Sequence, residues 1–488
     1  MGNTYYIVAI EVSSSKISGA VGIETTEGMR ILATASTPVD GFISKGIVRN
    51  VDKTSEAITS IVNMLDVDLK KVSKDDIEIK KAYISFAGLS MHSIKSKVSR
   101  SFDSYIKITP DIINGMADEN REAFKVPEGY KRLQVETQEY KLDGNIDVNP
   151  IGAPTQHIEC NYLNIVMKEQ FYAQLCESFA QAGIEIEESC CAANLDADIL
   201  LSKDLRRNGC ALVNIGAETT TISIYSNDKP KMLTVLPLGS NNITRDLTAE
   251  RISLDKAEVI KFARGYMSTG NNDDDITNET VDKIIYARVG EILKNVRYQI
   301  EASGERVHHI VFTGGGSKLK NLALLLEEFL SDFSTEIKPE PQFNLLSESG
   351  INVNGVITTA LNGLLKQGKV NCCETIMPAA QENGVIFSQT EMEGKEEHDS
   401  EVESEEEKKE EERLKAEEAE RARKELEKKD KENKEKQEKD KPKDKGGKKQ
   451  PKKGWIPGIG SLFQEWINNA TSDPEDEQNR DEQNEDND

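Results

Sequence analysis

The sequence predicts an α/β fold of two similar halves closing on a cleft, and three strand-and-turn stretches in a fixed order carry that prediction. The first is Ala211 to Tyr225: an apolar run (Ala211, Leu212, Val213, Ile215), a small-residue turn at Gly216 and Ala217, then a Thr/Ile alternation opening with Thr219 and Thr220. The second lies near the N-terminus, where Glu11-Val12-Ser13-Ser14 follows Ile7-Val8-Ala9-Ile10 much as Asn214-Ile215-Gly216-Ala217 follows Cys210-Ala211-Leu212-Val213. The third is a strand, Val307 to Phe312, running into Thr313-Gly314-Gly315-Gly316. Backbone N–H groups around such turns point into the bend and hold anions, and hydroxyls add donors. Each stretch alone reads more simply as an ordinary hairpin or turn. All three together point to a nucleotide, its phosphates clamped between two facing turns and its purine laid flat on the glycines.

Taken in order, residues 5 to 38 predict strands at Tyr6 to Ile10, Ile17 to Ile23 and Arg30 to Thr37. Between the first two lie Ser13, Ser14, Ser15 and the cation Lys16. Asp52 is placed to cap a helix whose Ile58, Ile61, Val62 and Leu65 share one face, and Lys81 to Ala87 is the next strand. From Gly88 to about Asn164 a helix (Asp111 to Glu119) and two strands (Leu133 to Leu142, Ile158 to Met167) predict a separate inserted module, since structureless loops of this length are uncommon. Helices carrying Phe171, Leu175, Phe179 and Ala182, and then Ala192 to Leu201, lead to the second turn. Beyond it come a strand (Met232 to Leu236), the Gly239-Ser240 turn into a helix from about Ile243, and a helix from Lys256 to Tyr266. Glu258 and Lys261 lie one turn apart on the latter, the spacing of an ordinary surface ion pair. Leu319, Leu322, Leu326 and Phe329 line one face of the helix after the glycines.

The chain has 488 residues and a formal net charge of -24, which argues against nucleic acid as a partner. Seven cysteines without a C-x-x-C spacing and five scattered histidines predict reduced thiols and no metal site of their own. No apolar run reaches the roughly 18 residues of a spanning helix. Residues 393 to 453 are mostly Glu and Lys and cannot bury a core, so they read as a solvated spacer. Hydrophobicity then returns: Trp455, Ile456, Ile459, Leu462, Phe463, Trp466 and Ile467 recur at spacings of three and four behind Lys448, Lys449, Lys452 and Lys453. That pattern predicts an amphipathic helix lying in a membrane interface, with a partner's helix groove as the alternative.

The two phosphate turns, the glycine turn and their order resemble the actin, Hsp70 and sugar kinase superfamily, whose halves are actin-like (ribonuclease H-like). More narrowly the chain is similar to the FtsA family. Further stretches that carry this likeness are Lys45-Gly46-Ile47-Val48, Tyr83 to Gly88 with Ser93-Ile94, Asn149-Pro150-Ile151-Gly152, Ala257-Glu258-Val259-Ile260-Lys261 and the C-terminal amphipathic helix. The resemblance implies ATP with Mg in the cleft. Ser13, Ser14, Ser15, Lys16, Gly216, Ala217, Thr219, Thr220 and Gly239 would meet phosphates, Glu258 and Lys261 the ribose and adenine, and Gly314, Gly315 and Gly316 the base. It also implies partners: the FtsZ C-terminal peptide, further copies of the chain in a filament, later division proteins, and the cytoplasmic membrane surface at the septum, bound peripherally. Its domains would be 1–88 with 165–205 (first half), 89–164 (inserted interaction domain), 206–243 with 304–372 (second half), 244–303 (outer subdomain), 373–453 (linker), 454–470 (membrane helix) and 471–488 (acidic tail). Where the family usually has aspartates this chain has Glu11 and Asn214, the positions that organise magnesium and phosphate, so the resemblance implies weak or absent ATP turnover. A small-molecule kinase of the same superfamily is the alternative, but neither a general base nor a sugar loop is evident. An Hsp70-like chaperone would need a peptide-binding domain where the spacer stands.

Overall fold

Two units built on one plan face each other in the computed structural model, which describes residues 5–72, 77–147, 149–267, 276–338, 346–347, 353 and 355–375. These belong to one compact unit, Met1–Glu382. The spacer, the Trp455 to Ile467 stripe and the acidic tail lie outside the described residues.

The first unit opens with an antiparallel meander of β1 (Ile7–Val12), β2 (Lys16–Thr25) and β3 (Gly28–Pro38). A two-rung ribbon, β4 (Ile43–Ser44) and β5 (Ile47–Val48), leads to α1 (Val51–Val72), then to β6 (Ile77–Ile79) and β7 (Lys81–Phe86), which runs parallel to β1. Helix α1 buries Ile58, Ile61, Val62, Leu65 and Leu69, the face its spacing predicts. Strand β1 extends past the expected Ile10. Glu11 pairs with Ser18 and Ser85, and Val12 is buried opposite Ile17, so Glu11 stands at the strand end instead of in the turn.

The insert comprises β8 (His92–Lys107), α2 (Pro110–Ala123), β9 (Tyr130–Leu142), β10 (Asn145–Asp147) and β11 (Pro154–Lys168). Helix α2 is capped by Thr109, whose side chain accepts from the Ile112 N–H, and it packs Met116 into a small core with Val98, Ile158, Cys160 and Tyr162. Next come α3 (Glu169–Gln181), β12 (Glu185–Cys191), α4 (Ala192–Leu200) and α5 (Lys203–Asn208).

The second unit repeats the meander as β13 (Cys210–Ile215), β14 (Thr220–Ser226) and β15 (Lys229–Leu236), followed by α6 (Asn241–Ala249), α7 (Leu254–Arg264) and α8 (Asn278–Ala302). Strand β16 (His309–Thr313) lies parallel to β13, a 3-10 turn (Gly315–Lys318) enters α9 (Leu322–Phe329), and β17 (Ser334–Ile337) lies beside β16. The order β12-β7-β1-β2-β3 thus matches β17-β16-β13-β14-β15 strand for strand, the duplication that the two turns predict.

Two boundaries differ from expectation. The chain returns to the first unit through β18 (Leu346–Ser347) on β3, α10 (Thr359–Gln367) and β19 (Cys373–Thr375) on β6. Residues placed in the second half up to 372 are therefore shared, because Leu361, Leu364 and Leu365 of α10 are buried in the first core with Ile7 and Ile31. The insert, expected as a self-contained module, shares the second unit's sheet: β8 meets β15 at His92 and Thr234, giving the continuous order β10-β9-β11-β8-β15-β14-β13-β16-β17. The Ser93 hydroxyl accepts from the Leu233 N–H (2.9 Å), and Lys231 pairs with Glu139 (3.7 Å) across this seam.

Candidate functional site

A cavity of about 420 Å³ lies where the two meanders face each other. Its first wall is the β1–β2 turn with Glu11, Ser13, Ser14, Ser15 and Lys16. The opposite wall is the β13–β14 turn with Asn214, Gly216, Ala217, Thr219 and Thr221, closed at the side by Gly314, Gly315 and Lys318 and by Glu258 and Phe262 of α7. Helices α6 and α10 begin at this cavity, at Ser240-Asn241 and Thr358-Thr359. The Ser240 and Asn241 N–H groups donate to the Gly216 and Ala217 carbonyls, so α6 contributes its dipole and holds the second turn in place. With the N-terminus of α10, the two small-residue turns and the cations Lys16 and Lys318, it forms an anion-binding arrangement.

Of the residues predicted for the site, Thr220, Gly239, Lys261 and Gly316 stand behind the wall instead of on it. The Thr220 hydroxyl donates to the Leu238 carbonyl (2.8 Å). Gly239 packs under the second turn, where a Cβ would lie 2.5 Å from the Ala217 oxygen, and Gly316 packs on Ile215. Lys261 is fully buried, its Nζ donating to Glu258 (2.7 Å) and Thr244 (2.9 Å). Burial pulls this ammonium below its ordinary value, with Glu258 opposing. The Glu258–Lys261 pair is thus an anchor for α7 that presents Glu258 to the cleft.

Sequence reasoning missed Asp196, Thr358 and the start of α10. Thr358 caps α10, accepting from the Leu361 N–H, and donates its own hydroxyl to Glu11. Asp196, 2% exposed on α4, lines the cavity and accepts from the Asn214 side-chain amide at 2.7 Å. Burial raises the carboxyl groups of both Glu11 and Asp196, the latter to about 7, and the Glu11 charge adds to the rise at Asp196. The visible signal was an acid among the buried positions of a short helix, Ala192, Ala193, Leu195, Asp196 and Ala197.

A clasp joins the two walls outside the cavity. Glu218, in the second turn, accepts from the Ser44 hydroxyl (2.9 Å) and the Lys45 N–H (2.6 Å) of the first unit, with Arg245 of α6 beside it (3.4 Å). The same loop donates the Gly46 N–H to Ser14 (2.7 Å), so both turns converge on it. Charged acceptors make bonds worth about 1.5–3 kcal/mol each. Glu218→Gln is therefore expected to speed hydrogen exchange of the peptide spanning 42–48, read by mass spectrometry, and unchanged exchange there would contradict the clasp.

Topology and cleft together define an actin-like fold: a duplicated sheet topology with a phosphate-type turn on each side of one cavity. A chain of the PilM-PilN type IV pilus biogenesis complex shares this fold, with a TM-score of 0.53 at 16% identity over 74% of this chain and 98% of that one. Within that class the chain is similar to the FtsA family. The family profile described as cell division protein FtsA matches residues 211–350. Cell division protein FtsA of Porphyromonas gingivalis is 26% identical over 68% of this chain and 72% of that protein. The Bacillus subtilis counterpart is 24% identical over 68% and 78%.

Proposed function

We propose that the protein binds ATP in this cleft, polymerises on the inner face of the cytoplasmic membrane, and tethers FtsZ filaments to it while recruiting later division proteins. The observation that carries this reading is the cavity itself, walled by two phosphate-type turns and two helix N-termini in a chain similar to the FtsA family.

Magnesium, which accompanies nucleotide in this fold class, suits the residues present. Glu11 and Asp196 are buried carboxylates with raised pKa, and the Ser18 and Ser85 hydroxyls, register neighbours of Glu11, are buried with no hydrogen-bond partner. The ion would neutralise phosphate charge there. Ser13 to Ser15 and the Gly216-Ala217 turn hold phosphates from either side, Lys16 and Lys318 supply positive charge, and Gly315 leaves open space for a flat base. The second turn's own carboxylate, Glu218, is held in the clasp outside the cavity, and toward the cavity the end of β13 presents the Asn214 amide, which takes no proton from water. Turnover is accordingly slow or absent.

The stripe from Trp455 to Ile467 supplies the membrane contact in this reading. A single interfacial helix binds reversibly, whereas copies arrayed along a filament each meet the surface at high effective concentration. Deleting residues 454–488 is expected to abolish pelleting with anionic vesicles while leaving nucleotide binding intact. Pelleting that survives the deletion refutes the tether.

A further inference from the structure

The cleft's second carboxylate sits on a helix and not on a strand end. Asn214, next to last in β13, has its side chain fixed on both sides: its Oδ1 faces Gly314, where a Cβ would lie 2.2 Å away, and its Nδ2 donates to Asp196. Asp196 lines the same cavity, is 2% exposed, and has no ion pair with any Lys, Arg or His among the described residues. Burying a carboxylate with one neutral hydrogen-bond donor beside a second carboxylate, Glu11, is unfavourable unless a positive charge compensates. The other polar side chains of α4 are satisfied within the protein, Asn194 by Gln134 and Asp198 by Arg206, whereas the Asp196 charge has only the neutral Asn214 amide. Such a residue is explained by a ligand that brings positive charge into the cavity.

We propose that Asp196 is the positioning residue for the magnesium of the bound nucleotide, acting from α4 through Asn214 and supplying the charge that an amide at the strand end lacks. The inference rests on the reading of the cleft as a nucleotide site. The negative charge is set back by one side chain from the second turn, and it orients the Asn214 amide by accepting from its Nδ2. The Asn214 Oδ1 is thereby turned away from Asp196, toward the glycine turn, available as a neutral acceptor for water on the ion. An aspartate at 214 would place the charge forward; the pair Asp196/Asn214 places it behind. Exchanging the two residues conserves total charge and composition and moves only its position.

The test is titration of the full-length protein with a fluorescent ATP analogue, with magnesium or with EDTA, in wild type, Asp196→Asn, and the exchange Asp196→Asn/Asn214→Asp. Melting curves in EDTA report folding of each. Wild type is expected to gain about tenfold or more in affinity from magnesium, a coupling of about 1.4 kcal/mol. Asp196→Asn is expected to lose most of that gain while its affinity in EDTA is unchanged or higher, because a negative charge facing phosphate has gone. The exchange variant is expected to regain the magnesium dependence. Loss of packing alone would lower affinity in both buffers and would not be rescued by relocating the charge. A wild type that binds no nucleotide overturns the cleft reading and this inference with it. A wild type that binds with a magnesium gain that Asp196→Asn keeps in full overturns the inference alone. A folded exchange variant that stays magnesium-independent also overturns it.

Discussion

Gly314→Ala is expected to destabilise the protein by on the order of 3–5 kcal/mol, combining the cost of a non-glycine residue in this backbone region with an overpacked contact. Gly314 has φ 85° and ψ 173°, a conformation essentially confined to glycine. A Cβ there would also lie 2.2 Å from the Asn214 Oδ1 and 2.6 Å from the Ile215 carbonyl oxygen. Neither neighbour can retreat: Ile215 is a rung of the β13–β14 ladder, and Asn214 is held by Asp196. The next residue makes the control. A methyl group added at Gly315 would meet nothing within 4 Å, so Gly315→Ala is expected to leave stability within about 0.5 kcal/mol while narrowing the cavity. Urea unfolding midpoints separate the two, and equal midpoints for both variants would contradict the packing at Gly314.

Asp196→Asn is expected to flatten the pH dependence of stability of the ligand-free protein in chelator. The Asp196 carboxyl is raised from 3.8 to about 7 in the folded state, chiefly by burial. Between these values the native protein holds a proton that the unfolded chain has released. The contribution of Asp196 is therefore fully present below about pH 4 and is lost as pH rises to about 7. A shift of that size corresponds to roughly 4 kcal/mol as an upper bound. Near pH 8 the variant is expected to be more stable than wild type, and near pH 4 the two should converge. Parallel stability curves from pH 4 to 8 would show that Asp196 does not titrate in this window.

The duplicated turns were legible because each joins an apolar strand to small residues, a change of character that tertiary context rarely disguises. Strand β8 was not, although it is 16 residues long, because His92-Ser93-Ile94-Lys95-Ser96-Lys97 carries little apolar alternation and only Val98 is buried. Helix α8 escaped as well. Its apolar face (Val281, Ile285, Val289, Ile292, Val296, Ile300) is interleaved with charge throughout, which lowers its contrast with a surface segment. In the site, the residues on the two turns were readable from local chemistry. Asp196 and Thr358 were not, since each reaches the cavity from an element whose own sequence says nothing about a ligand. Only the pairing of α4 with β13, and of α10 with β1, brings them there.

The seam between β8 and β15 gives the insert a mechanical office. The insert is encoded between β7 and α3, both first-unit elements, yet its sheet is bonded to the second unit through His92 and Thr234, Ser93 and Leu233, and Lys231 and Glu139. A bridged strand pair does not slide by fractions of a residue; this one, a single pair backed by two side-chain contacts, holds its register or breaks. Rotation of one unit against the other must therefore either break this seam or swing the insert with the second unit and strain its joints at Gly88–Met91 and Lys168–Glu169. The insert thus ties the two units together, through the chain on one side and the seam on the other.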